Sequence, residues 1–195
     1  DDDGRIRGYE EKPMVETSRN VSCGIYVIRR RLLIELIERA AEEDRYDLVK
    51  DILIRYKDIK RIYAYQLETY WNNISSVEAY YRTNMDFLNK DVRKILTQEP
   101  FIASKPSDDP PAKYNPTAEV TNTLVGTGSI IDGNVKNSVL FRKVFVGEGA
   151  TVENSVIMKS SYIGKGCVIK NAIIDKEVVI SDNKEVIGTE EEPIV

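Results

Sequence analysis

Val135-Lys136-Asn137-Ser138-Val139-Leu140 returns 17 residues later as Val152-Glu153-Asn154-Ser155-Val156-Ile157, and 17 residues after that as Ile169-Lys170-Asn171-Ala172-Ile173-Ile174. A second phase keeps the same period, since Val146-Gly147-Glu148-Gly149-Ala150 matches Ile163-Gly164-Lys165-Gly166-Cys167. An imperfect copy, Val120-Thr121-Asn122-Thr123-Leu124-Val125, precedes the first by 15 residues. Two unrelated motifs in step are the mark of a solenoid in which each copy is one coil. Apolar residues recur about every six positions (Val146, Val152, Met158 at the turn, Ile163, Ile169), which predicts three short strands forming the sides of a triangular prism. Small residues, Gly or Asn at the corners allow sharp bends and left-handed backbone there.

This hexapeptide pattern resembles the left-handed parallel β-helix, here expected over 117–195. Many acyltransferases share that architecture, as do the C-terminal domains of sugar nucleotidyltransferases, so the fold alone does not fix the function. The hexapeptide acyltransferases generally rely on a histidine general base. This chain has no histidine, which removes that chemistry together with His-based metal sites and Ser/His or Cys/His nucleophiles.

Upstream the pattern changes. Residues 97–116 hold five prolines (Pro100, Pro106, Pro110, Pro111, Pro116) and read as a linker, because proline withholds the donors that helix and sheet interiors need. Pro110-Pro111 favours an extended path laid over a surface, with Phe101, Ile102 and Tyr114 as apolar anchors. Residues 1–96 alternate β-like runs (5–9, 22–28, 61–67) with helical patterns and read as α/β. Leu32, Leu33, Leu36, Ile37 and Ala40 mark one amphipathic helix. A second follows Tyr70-Trp71, where Ser75 and Glu78 have capping-box spacing and Val77, Tyr80, Tyr81, Phe87 and Leu88 supply an apolar face. At this spacing Trp71, Tyr80 and Tyr81 read as core residues rather than a base-stacking platform, and Arg29-Arg30-Arg31 as a solvated turn into the first helix.

The 195 residues suffice for one ordinary domain or two small ones. With 28 basic against 32 acidic side chains the net charge is −4, which argues against binding nucleic acid through its phosphates. No apolar run approaches the roughly 20 residues of a membrane helix, so a soluble, cytoplasmic protein is expected. Cys23 and Cys167 lack the spacing of a disulfide framework or metal site and read as reduced thiols.

Tyr9-Glu10-Glu11-Lys12-Pro13, then Ser22-Cys23-Gly24-Ile25-Tyr26, then Tyr70-Trp71-Asn72-Asn73-Ile74-Ser75-Ser76, then Pro110-Pro111-Ala112-Lys113-Tyr114 resemble, in order and spacing, the sugar-phosphate half, linker and β-helix of glucose-1-phosphate adenylyltransferases (ADP-glucose pyrophosphorylases). The resemblance implies a partial, Rossmann-like nucleotidyltransferase domain followed by the β-helix. It also implies glucose 1-phosphate contacts from Glu11, Lys12, Ser22 and Gly24. An ammonium at Lys12 suits the phosphate, a carboxylate at Glu11 accepts from sugar hydroxyls, and Gly24 admits close approach of the backbone. Taken alone, Glu11 and Lys12 would equally suit a solvated pair before a turn proline.

The family's Tyr-Trp-Arg-Asp-Val-Gly-Thr motif supplies an aspartate for catalytic Mg2+; this chain has Asn73 there, Asn72 for the arginine, and Ser75-Ser76 for Gly-Thr. Magnesium prefers anionic oxygen, which an amide does not provide. These losses resemble the regulatory, GlgD-type subunits of glycogen synthesis, which pair with a catalytic subunit as hetero-oligomers. The resemblance implies Mg2+ only in the intact catalytic assembly, with no metal at Asn73 and none in this stretch. The family's Gly-rich ATP loop does not occur in this sequence, which reads as the C-terminal portion of such a subunit and is expected to be inactive alone. Further expectations are self-association through the β-helix, and no nucleic acid or membrane partner. The alternatives are a catalytic sugar-phosphate nucleotidyltransferase in which another carboxylate holds the metal, and a β-helix interaction scaffold.

Overall fold

A computed structural model describes residues 4–11, 13–15, 18–99 and 105–195. The chain divides into two units, Asp1–Trp71 and Asn72–Val195.

In the first unit, Arg30–Glu42 forms α1, whose Leu36 and Ala40 are buried. A π-helical segment, Leu48–Ile54, packs beside it with Ile52 and Leu53 buried. Its start is fixed by Asp47, whose carboxylate accepts from the N–H groups of Val49 (2.8 Å) and Lys50 (2.9 Å), while Asp51 accepts from Asp47 N–H at 3.0 Å. These bonds satisfy donors that a helix start leaves orphaned. The Lys50 N–H is the main reason the Asp47 carboxyl sits below the ordinary carboxylate range. Of the three expected strands, 5–9 and 61–67 meet only at an antiparallel bridge between Arg5 and Tyr63, with Ile6 N–H donating to Ile62 O and Ala64 N–H to Gly4 O, each at 2.9 Å. Residues 22–28 are irregular, with a bend at Gly24, and join no ladder among the described residues. Their β-branched composition is right, but a strand also needs a neighbour for its N–H and C=O groups.

The second unit is a parallel β-helix of three sheets. The first contains β1 (Lys113–Tyr114), β4 (Ile130–Ile131), β7 (Phe145–Val146), β10 (Tyr162–Ile163) and β13 (Val179–Ile180). The second contains β2 (Glu119–Thr121), β5 (Asn134–Lys136), β8 (Thr151–Glu153), β11 (Val168–Lys170) and β14 (Glu185–Ile187). The third contains β3 (Leu124–Val125), β6 (Val139–Leu140), β9 (Val156–Ile157) and β12 (Ile173–Ile174). Register follows the repeat, with Val135 opposite Val152 and Val152 opposite Ile169. The 15-residue copy has a physical basis. Only Asp132 and Gly133 turn the corner between β4 and β5, where the next coil uses Gly147–Ala150. Glycine is required there, since a Cβ at Gly133 would lie 2.5 Å from Ala150 O and 2.6 Å from Gly147 O.

Each sheet sends one residue per strand inward: Ile131, Val146 and Ile163; Val135, Val152 and Ile169; Leu140, Ile157 and Ile174, all essentially inaccessible. Ile157 thus fills the slot expected for Met158, which packs outside. Left-handed residues stand at all three corners: Asn122, Asn137, Asn154 and Asn171 at one, Gly149, Gly166 and Asn183 at another. The third corner begins with Gly128 and then departs from the Gly/Asn expectation, with Lys143, Ser160 and Glu177 at φ 59°, 61° and 61°. Buried serines finish the turns. Ser155 Oγ donates to Glu153 O (2.7 Å) and accepts from Ala172 N–H (3.2 Å), repeating Ser138 one coil earlier. Cys167 stands where the previous coil has Ala150, fully buried, and both thiols are free.

Helix α2 (Val77–Asp86) packs on the outside of the third sheet, where Tyr81 meets Val156 and Ile173, flanked by Tyr80, Met85, Phe141 and Met158. Tyr81 Oη donates to Asn154 O at 2.6 Å. The helix begins one residue later than the Ser75 spacing predicts. Ser76 is the cap, accepting from Ala79 N–H at 3.1 Å; hydrogen bonds from the Glu78 N–H and the Ser76 hydroxyl lower the Glu78 pKa. The linker is anchored from Asp109 onward: Asp109 pairs with Lys143 (2.8 Å) and Arg142 (3.9 Å), and Pro110 O accepts from Gly128 N–H. Phe101 and Ile102 lie outside the described residues. Among the described residues no helix is long and apolar enough to cross a membrane.

Candidate functional site

In the first unit the structure draws the two upstream motifs into one polar cluster. Tyr9 and Tyr26 hydroxyls lie 3.3 Å apart, and Ser22 Oγ is 3.4 Å from Tyr26 Oη. Ser22 Oγ also accepts from Gly24 N–H at 3.3 Å, a local side-chain-to-backbone turn that Gly24 closes with a left-handed φ of 71°. Burial raises the Tyr9 pKa; the hydrogen bond with Tyr26 and the charges of Tyr26 and Glu11 push the same way, and the Ser22 bond opposes them. Glu11 pairs with Lys50 at 3.4 Å. The oxygen that faces the Lys50 ammonium, Oε2, is buried and makes no hydrogen bond among the described residues, so the ion pair is what compensates its burial.

Of the four expected sugar-phosphate residues, Ser22 and Gly24 are linked to Tyr9 through Tyr26, Glu11 pairs with Lys50, and Lys12 lies outside the described residues. Tyr9 was legible only as the aromatic of its motif. Lys50 had no sequence signal, because its place depends on the Asp47 cap far along the chain. Beside the cluster an open hollow of about 460 Å3 is lined by Gly24, Tyr26, Ile28, Leu33, Ile37 and Leu48.

Asn73 is exposed and belongs to the second unit, where its neighbour Asn72 donates to Asp86 Oδ2 at 3.3 Å. Among the described residues no three Asp, Glu or Cys side chains converge as metal ligands. The donor set does not fit Mg2+, because Asn73 offers one neutral oxygen where the ion takes anionic ones. Of the aromatics, Tyr81 is core and Trp71 is 38% exposed.

A nucleotidyltransferase region followed by a hexapeptide β-helix is the class that this arrangement defines. The family model described as "Nucleotidyl transferase" matches residues 1–90, and that described as "GlmU-like, C-terminal hexapeptide" matches 110–193. The chain is homologous to bacterial proteins named glucose-1-phosphate adenylyltransferase. It is 33% identical to that of Acetivibrio thermocellus over 155 residues, 77% of this chain and 36% of the relative. It is 34% identical to that of Geobacillus stearothermophilus (74% of this chain, 38% of the relative), and 36% to that of Bacillus thuringiensis strain Al Hakam (74% and 39%). It thus spans well under half the length of these relatives.

Proposed function

We propose that the chain is the C-terminal portion of a non-catalytic, regulatory subunit of glucose-1-phosphate adenylyltransferase, the enzyme that makes ADP-glucose and diphosphate from ATP and glucose 1-phosphate for glycogen synthesis. The observation that carries this is Asn73, at the position where the resembling motif has its magnesium aspartate. Nucleotidyl transfer rests on positioning and on neutralising phosphate charge. A neutral amide removes one anchor of the metal while leaving the sugar-phosphate cluster in place. On this reading Glu11, Lys12, Ser22 and Gly24 hold the sugar phosphate: Ser22 and Glu11 meet sugar hydroxyls, Lys12 meets the phosphate, and Gly24 lets the backbone approach. Mg2+ belongs to the catalytic partner's site in a cytoplasmic hetero-oligomer, and the β-helix carries subunit contacts, including self-association.

The test is Mg2+-dependent ADP-glucose formation by the protein carrying this chain, with and without Asn73→Asp. Neither form should turn over alone, because the other lost positions, Asn72 and Ser75-Ser76, remain. Robust turnover by the Asn73 form would overturn the non-catalytic assignment.

A further inference from the structure

The π-helical segment Leu48–Ile54 belongs to none of the motifs, yet two of its side chains reach the candidate site. Leu48 lines the hollow to which Gly24 and Tyr26 also contribute, and the Lys50 ammonium lies 3.4 Å from Glu11 Oε2. π-helical turns are uncommon and gather at functional sites. Lysine pairs on a surface are ordinary: Lys57 with Asp58 and Lys94 with Asp91 join near neighbours along the chain, and such pairs contribute little.

The Lys50–Glu11 pair differs in two respects. Glu11 Oε2 is shut off from solvent and makes no hydrogen bond among the described residues, so without the ammonium a buried charge would stand uncompensated. Lys50 is also held from its own backbone. Its N–H donates to the Asp47 carboxylate at 2.9 Å, Asp47 N–H donates to Asp51 Oδ2 at 3.0 Å, and Arg45 pairs with Asp51 at 3.6 Å and with Glu43, at the end of α1, at 3.1 Å. We infer that Lys50 is a positioning residue for glucose 1-phosphate: it fixes the Glu11 carboxylate with Oε2 turned inward and leaves Oε1 to accept from a sugar hydroxyl. This rests on the sugar-phosphate role proposed for Glu11 above and adds to that site a residue that touches Glu11 rather than the sugar.

The test is isothermal titration calorimetry with glucose 1-phosphate on the protein that carries this chain, run as a cycle of Lys50→Met, Glu11→Gln and the two together. The Lys50 side chain is 63% exposed, so its loss leaves packing intact; should Lys50→Met nonetheless melt early, Lys50→Gln replaces it. Lys50→Met should weaken binding about tenfold, because the carboxylate turns its buried oxygen out to water and must be turned back. Lys50→Arg should restore most of the affinity, and Lys57→Met, which removes a charge paired with the adjacent Asp58, should leave it unchanged. In the Glu11→Gln background Lys50→Met should have no further effect; if Glu11→Gln alone abolishes binding, Glu11→Asp, whose shorter arm withdraws the carboxylate from Lys50, serves as that background. An equal loss in both backgrounds would put Lys50 on the phosphate itself and overturn the positioning role, as would a Lys50→Met variant that binds as tightly as the parent; either result leaves the sugar-phosphate role of Glu11 standing. A parent protein that does not bind glucose 1-phosphate overturns both.

Discussion

The β-helix and the first unit use similar residues to opposite effect. Val152 and Val156 are fully buried, whereas Val27 is fully exposed and Ile25 and Tyr65 are 72% and 92% exposed. In the β-helix each strand finds its partner one coil away, so hydrogen bonds and burial arise from the repeat itself. The Ser22–Ile28 segment has the composition of a strand and no ladder partner among the described residues. Burial belongs to the neighbours a residue is given.

The largest effect that would sharpen this contrast is Val152→Asp against Val27→Asp. An unpaired charge in the prism costs more than about 4 kcal/mol and should abolish the cooperative thermal transition followed by circular dichroism, while the exposed change stays within about 0.5 kcal/mol. Equal effects would break the comparison. Gly133→Ala should follow, at about 2 kcal/mol or more, because its Cβ meets two backbone oxygens; Gly8→Ala, with nothing within 4 Å, is the control in a denaturant titration. Ser155→Ala leaves the buried Ala172 N–H unpaired, while the Glu153 C=O keeps the Asn171 N–H, and should cost about 1–3 kcal/mol, read from the shift in denaturation midpoint.

The smallest effect is electrostatic. Hydrogen bonds from Lys143, then Ser107, hold the Asp109 carboxyl below the ordinary range. A depressed carboxylate pKa contributes stability above the unfolded value near 4 that is lost as pH falls through the lower folded value. Asp109→Asn should therefore lower the melting temperature at neutral pH and leave it unchanged at the acid end. An equal deficit at both would show that the pair does not anchor the linker.

The period made the β-helix legible down to its registers, because repetition writes each contact into the sequence several times. The two-residue corner at Asp132-Gly133 showed only as a spacing of 15, and the left-handed Lys143, Ser160 and Glu177 not at all, since nothing local distinguishes them from ordinary turn residues. The packing of α2 on the third sheet was hidden because Tyr81 and Val156 are far apart in sequence. In the candidate site, motif order pointed to Glu11, Ser22 and Gly24; the Tyr9–Tyr26 contact that ties the first motif to Ser22, and the Lys50 partner of Glu11, emerged only from the fold. Ser22–Ile28 read as a strand because composition reports a residue's preference and not the presence of a partner.

On the function proposed above, the protein carrying this chain acts through a catalytic partner without turning over itself. The most direct test is ADP-glucose formation by a catalytic glucose-1-phosphate adenylyltransferase subunit titrated with the protein that carries this chain. The expected result is a saturable change in the partner's rate or substrate dependence, with no turnover when the partner is omitted. A partner whose kinetics stay flat across the titration, or turnover without it, would contradict the account.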